Sequence, residues 1–183
     1  MNDPIQTILQ TFQDRGGERY GEENVTQLQH ALQCAELARI EGASPALITA
    51  AMLHDLGHIM EPGELPDSCE DNLDDHHEMR AYQLLQETFG PDVAEPVRLH
   101  VVAKRYLCTK DPEYADRLSP TSYKSFLDQG GTMSEAEVAA FEAEPFFTDA
   151  LRVRKWDDTG KRPEHETPTM RDFLAEIEAC RRV

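Results

Sequence analysis

From Ala50 to Asp55 the chain runs Ala-Ala-Met-Leu-His-Asp, an apolar stretch that ends in an imidazole and a carboxylate. A stretch of this kind belongs in a core, and a carboxylate taken there without a cationic partner is costly. Whatever this chain folds into must therefore bring counter-charge to Asp55. His30, His76, His100 and Asp157 complete with His54 and Asp55 a set of four imidazoles and two carboxylates. A redox metal such as iron or manganese accepts about six such donors and must keep some positions open. With Asp55 between two ions as a bridge, the set gives each ion protein ligands and vacancies. One histidine alone is more often a satisfied polar residue than a ligand, so the argument rests on the joint set around a buried pair. Within it, His76 has His77 beside it, and that pair also reads as an exposed helix start after Asp74 and Asp75. The expectation is His76, on the first turn of a predicted helix with Met79 and Leu84 on the turns that follow.

Hydrophobic periodicity reads as helix almost throughout. Ile5, Ile8, Leu9 and Phe12 fall at i, i+3, i+4 and i+7, an amphipathic stripe ending near Gly16-Gly17. Leu28, Ala31, Leu32 and Ala35 repeat it. Ser44 caps and Pro45 opens a helix that reaches the His54-Asp55 pair, and Phe89-Gly90-Pro91 stops the one carrying His76. Ser119-Pro120 starts another through Phe126 and Leu127, and Ser134 with Glu137 forms a capping box before Val138 and Phe141. Segments from Phe146 to Trp156 and from Met170 to Ile177 complete an all-α set, and no strand pattern is present. Irregular stretches are expected near 15–23, 61–72 and 158–167, where loops commonly frame an active site.

A chain of 183 residues fits one core, so residues 1–183 are read as a single domain. No apolar run approaches the roughly 18 residues needed to span a bilayer, and the start Met1-Asn2-Asp3-Pro4 lacks a basic leader, which leads to an expected cytoplasmic location. Cys34, Cys69, Cys108 and Cys180 form no Cys-x-x-Cys pair and are expected as free thiols. The net charge of -17 argues against nucleic acid or anionic membranes as partners, since both depend on a basic surface. An anionic substrate would also be repelled at long range and must be captured by local cations.

Such cations accompany the ligands. Lys104 follows His100 by four residues and Arg154 precedes Asp157 by three, so on helices each shares a face with its ligand. A cation that close weakens metal binding unless something anionic later sits between them, so both are read as substrate anchors, against the plainer reading of surface partners for nearby acids. Ser122 and Ser125 stand at a helix start, where hydroxyls and unpaired backbone N–H groups bind oxyanions. His58 is placed to donate from behind the ligands. Together they suggest a phosphate or phosphonate group.

The run His54-Asp55-Leu56-Gly57-His58 resembles the signature of the HD-domain superfamily, whose minimal ligands would here be His30, His54, Asp55 and Asp157. The resemblance is closer still to the mixed-valent diiron organophosphonate oxygenases of the PhnZ type, related in chemistry to myo-inositol oxygenase. It is carried from about Tyr20 to Asp157 by Gln27-Leu28-Gln29-His30, the His54 to His58 run, His76 with Glu78, His100 to Leu107, Gln129-Gly130-Gly131, and Arg154-Lys155-Trp156-Asp157. It implies a compact HD-domain helical bundle. It also implies two iron ions in the Fe(II)/Fe(III) state, dioxygen as co-substrate, and oxidative cleavage of the carbon–phosphorus bond of a 1-hydroxyalkylphosphonate. The implied phosphonate contacts are Lys104, Arg154, Ser122, Ser125, Gln129 and His58, with Tyr20 and Glu23 on a mobile lid whose glutamate faces the substrate amine.

The presence of Tyr20 and Glu23 favours 2-amino-1-hydroxyethylphosphonate, giving glycine and phosphate. The same chemistry on the trimethylammonium analogue would give glycine betaine. A quaternary ammonium needs an aromatic or acidic cage, and the loop from Glu61 to Asp75, with many acids and no aromatic residue, departs from the pattern of the aminohydroxy-specific enzymes. A metal-dependent HD phosphohydrolase is the alternative reaction, for which four ligands alone suffice. A ligand-sensing HD module without turnover would gain nothing from six ligands and Lys104.

Overall fold

A computed structural model describes residues 3–60 and 76–182. These form eleven α-helices: α1 (Pro4–Arg15), α2 (Gln27–Ile40), α3 (Pro45–Leu53), α4 (Leu56–Ile59), α5 (His77–Thr88), α6 (Pro91–Lys110), α7 (Pro112–Asp116), α8 (Pro120–Asp128), α9 (Glu135–Glu142), α10 (Phe147–Thr159) and α11 (Leu174–Ala179). A 3₁₀ turn at Met170–Phe173 leads into α11. Among the described residues the one extended feature is an isolated antiparallel bridge between Arg19 and Thr26. The expected all-α architecture is what forms.

Capping chemistry sets most helix starts. The Ser44 hydroxyl accepts from the Leu47 amide at the start of α3, Ser119 does the same for Ser122 at α8, and Ser134 and Glu137 form the expected reciprocal box at α9. Each removes an orphan N–H, a contribution of about 1 kcal/mol. The stripe on α1 buries Ile5, Ile8 and Phe12, which at roughly 1.5–3 kcal/mol per large side chain is what keeps that helix docked.

Two apolar clusters result. The larger gathers Ile8, Leu32, Leu53, Leu85, Val97, Val153, Trp156 and Phe173 from seven segments, and the smaller packs Leu99, Ala103, Met133, Phe141 and Ala150. Helices α2, α3, α5, α6 and α10 pack on one another, and they or their ends carry His30, the His54-Asp55 pair, His77, His100 and Asp157. No described helix is long and apolar enough to cross a membrane. Cys34, Cys108 and Cys180 are free thiols; Cys69 lies outside the described residues, as does the acidic loop invoked for substrate selection.

Candidate metal centre

Adjacent side chains on an unbroken helix point about 100° apart, so His54 and Asp55 can share a site only if the helix stops between them and the next turn. It does. Helix α3 ends at Leu53, α4 begins at Leu56, and Asp55 sits between them at φ -104, ψ 11. Gly57 in α4 then lets the next layer close in: a Cβ there would lie 1.9 Å from the His77 carbonyl oxygen. The first turn of α5 therefore rests directly on the backbone of the motif.

This packing brings imidazoles to both oxygens of Asp55. Its Oδ2 faces His54 Nε2 at 3.2 Å and His30 Nε2 at 3.5 Å, while His30 Nε2 is also 3.3 Å from Asp157 Oδ1. Its Oδ1 faces His77 Nε2 at 3.1 Å and His100 Nε2 at 3.6 Å. Within each half two imidazole Nε2 atoms stand 3.2 Å apart. His30, His54, Asp55 and Asp157 thus form one buried donor group, and Asp55, His77 and His100 a second.

The second group corrects an expectation. His77, not His76, enters the site: His77 is the first residue of α5 and is 5 % exposed, while His76 is the N-cap, in the left-handed region at φ 47. The reason is helical phase. Ala81 and Leu85, both fully buried, lie at i+4 and i+8 from His77 and mark the inward stripe. Met79 and Leu84, which favoured His76, are only partly buried. Glu78 Oε2 lies 3.7 Å from His77 Nδ1.

The donors fit metal ions. His30 Nδ1 donates to the Gly160 carbonyl at 2.8 Å, His54 Nδ1 to Ala51 at 2.8 Å and His100 Nδ1 to Val97 at 2.7 Å. A carbonyl can only accept, so these rings hold their proton on Nδ1 and aim the Nε2 lone pair at the carboxylates. Lone pairs facing carboxylates repel unless a cation lies between them. Asp55 Oδ2 is buried and makes no hydrogen bond. Burial opposes charge on Asp55, yet the surrounding histidines hold it well below the usual carboxylate range. Burial also depresses His54, but Asp55 and Asp157 outweigh it and lift that ring to about 10. His100, by contrast, is pushed well down by burial and by His54 and His77. The cluster favours positive charge, which metal ions held there would supply in place of protons.

A cavity of about 190 Å³ opens on the ligands and is lined on its far side by Lys104, Ser122, Ser125, Gln129 and Arg154, with Tyr20 and His58 also on its wall. Lys104 is 3 % exposed and donates to Ser125 Oγ at 2.6 Å. Burial and the Arg154 charge push its pKa down to about 8. Arg154, equally buried, contacts Asp157 Oδ2 at 2.5 Å and forks onto Asp158, which also accepts from the Tyr114 hydroxyl. Neither cation is a surface partner. The Ser122 amide is already taken by Ser119, so that helix start offers a hydroxyl to an anion rather than this N–H.

The Tyr20 ring stacks on His30 with centroids 4.1 Å apart, and its hydroxyl lies 3.5 Å from Asp157 Oδ1. The His58 ring stacks on His77 at 3.8 Å. Glu23 does not line the cavity; it stands one turn behind Tyr20, its amide bonded to the Tyr20 carbonyl and its Oε1 buried without a hydrogen-bond partner. Lys161 escaped the sequence reading, although it follows Asp157 at i+4 as Lys104 follows His100. Its ammonium is 3.5 Å from Asp157 Oδ1 and 2.9 Å from Ser122 Oγ.

A family model described as HD domain matches residues 28–123. The chain is 41% identical over 180 residues to the hydroxymethylphosphonate dioxygenase of Gimesia maris, covering 96% of this chain and 87% of the relative. It is 40% identical over 174 residues to the 1-hydroxy-2-(trimethylamino)ethylphosphonate dioxygenase (glycine-betaine-forming) of Leisingera caerulea, covering 95% and 88%. An uncharacterised protein, L432, of Acanthamoeba polyphaga mimivirus is 38% identical over 158 residues, covering 86% and 72%.

Proposed function

The chain belongs to the HD-domain family, and on that premise we propose that it is an oxygenase that cleaves the carbon–phosphorus bond of a 1-hydroxyalkylphosphonate. The observation that carries this reading is one cavity with two kinds of wall. A carboxylate with imidazoles on both of its oxygens forms one side, and a buried lysine, arginine and serine form the other.

His30, His54 and Asp157 would hold one iron, His77 and His100 the other, and Asp55 would bridge them in a mixed-valent Fe(II)/Fe(III) pair. Iron held there supplies one-electron chemistry toward dioxygen and Lewis acidity toward the substrate hydroxyl. The rest is done by the chain. Lys104 and Arg154 place charge-assisted donors against the phosphonate oxygens, and Ser122 adds a hydroxyl, so the reacting carbon is held toward the metal side rather than toward water. Ser125 and Gln129 complete that wall, and His58, braced on His77, donates from the opposite one. Tyr20, stacked on His30 with its hydroxyl near Asp157, would shield the His30 side of the site until substrate binds. We take residues 1–183 as a single HD-type diiron oxygenase domain.

Among the possible substrates we favour 2-amino-1-hydroxyethylphosphonate, yielding glycine and phosphate, on the resemblance carried by Tyr20 and Glu23; Glu23 stands behind the cavity wall, so its carboxylate would have to turn inward to meet an ammonium. The trimethylammonium analogue and hydroxymethylphosphonate are the substrates of the relatives' names. The test loads the protein with iron(II), admits limited air, and follows oxygen uptake and phosphate release with all three compounds. Phosphate released equally without oxygen would make the protein a hydrolase.

A further inference from the structure

Two lysines each donate to a serine of α8, and the two serines are not equivalent. Ser125 Oγ accepts from Lys104 but spends its own proton on the Ser122 carbonyl at 3.1 Å. Ser122 Oγ accepts from Lys161 at 2.9 Å, and its own proton has no acceptor among the described residues. Ser122 is 6 % exposed and lines the cavity, so the unassigned proton is a buried one. A hydroxyl whose lone pair is held by an ammonium behind it must turn its hydrogen away from that ammonium.

The backbone on both sides of Lys161 is fixed. Gly160 accepts from His30, and its backbone presses on α2, since a Cβ there would meet Cys34 Sγ at 2.7 Å. The fully buried Gln33 side chain then clamps Arg162, accepting from its amide and donating to its carbonyl, both at 2.9 Å. The Lys161 side chain is itself only 9% exposed. Lys161 is 3.5 Å from Asp157 Oδ1, whose other oxygen Arg154 holds at 2.5 Å, whereas its contact with Ser122 Oγ is at hydrogen-bond length, 2.9 Å.

Resting on the proposed function, we infer that Lys161 is a positioning residue that polarises the Ser122 hydroxyl and aims its proton at a tetrahedral oxyanion in the cavity. Lys161 acts through Ser122 and does not line the cavity itself. The two serines then have different duties. Ser122 donates to the anion, whereas Ser125 steers the Lys104 ammonium, which keeps its remaining N–H groups for the same anion.

The test compares Lys161→Met, Ser122→Ala and the double variant in the iron-loaded protein, titrated calorimetrically with inorganic phosphate and assayed for phosphonate KM and kcat. Each single variant should weaken phosphate binding and raise KM about tenfold, the size of one charge-assisted hydrogen bond, with iron content unchanged and kcat within a few-fold. The double variant should bind no more weakly than Ser122→Ala, and Lys161→Arg should recover part of the loss. Additive losses would overturn the inference. So would a Lys161→Met protein that loses iron yet binds phosphate normally, or a wild-type protein that binds no phosphate. Phosphate binding needs no turnover: a chain that cleaves no phosphonate defeats the proposed function, whereas an active enzyme without this coupling defeats only the inference.

Discussion

The closest backbone approach in the site is at Gly57, and it sets the most demanding prediction. An added Cβ would stand 1.9 Å from the His77 carbonyl oxygen, 2.7 Å from its carbon and 3.1 Å from its Cα. Nothing at the far end of a flexible side chain can move aside, because all three atoms are backbone. Bringing the first distance to 3.0 Å, below which Cβ atoms essentially never approach, means displacing the start of α5 by about 1.1 Å. Metal–ligand distances tolerate roughly 0.2 Å, so His77 would leave the reach of an ion shared with Asp55 and His100. Gly57→Ala should therefore fall from two irons toward one per chain and lose about a hundredfold or more in kcat, the usual cost of a 1 Å misplacement. Metal analysis and oxygen-coupled phosphate release measure both. Far-UV circular dichroism should stay helical, since α2, α3, α6 and α10 pack independently of this contact. Gly17→Ala, where a Cβ meets nothing within 4 Å, is the silent control. A Gly57→Ala protein with two irons and normal turnover would refute the claim that this glycine exists to seat α5.

The same geometry sets the outcome of other perturbations. His77→Ala should lose one iron and oxygenase activity while His76→Ala keeps both, measured by metal content and oxygen uptake; the reverse would restore the sequence-based choice. His100→Ala should likewise lose one ion while remaining folded, and Lys104→Ala should keep both but bind phosphonate poorly, with KM as the readout. Because Lys104 sits near 8, its charge is present below that pH and lost above it, so kcat/KM should descend as pH rises through about 8, and a profile flat there would remove Lys104 from the anchor. Chelating both irons should lower Tm by roughly 10–20 °C, from about 2.7 kcal/mol of binding linkage per site at a hundredfold excess over Kd in a domain of this size, with recovery on adding iron(II).

What could be read from the sequence depended on whether a residue's role was set by its own neighbours in the chain. Helix boundaries were of that kind: Ser44, Ser119 and Ser134 cap where their spacing to Pro45, Pro120 and Glu137 says they must. His54 and His100 were too, for each hydrogen-bonds the carbonyl three residues before it and so carries its own orientation. The choice between His76 and His77 was local as well, and the signal lay in Ala81 and Leu85 at i+4 and i+8; small Ala81 weighed less than Met79 in judging the stripe, although it is the fully buried one. Lys161 is different. Its place is fixed by Gln33, across 129 positions of sequence, and by the carbonyl of Gly160 on the ring of His30. Neither contact has a periodicity to betray it, and an irregular segment beyond a helix end reads as loop until the partner helix is in place. Most of the candidate metal donors could thus be named from short-range pattern, His77 excepted, whereas the contacts that place Lys161 against Ser122 arise only when α2 and the end of α10 meet, which is why such a pattern points to metal chemistry sooner than it points to a substrate.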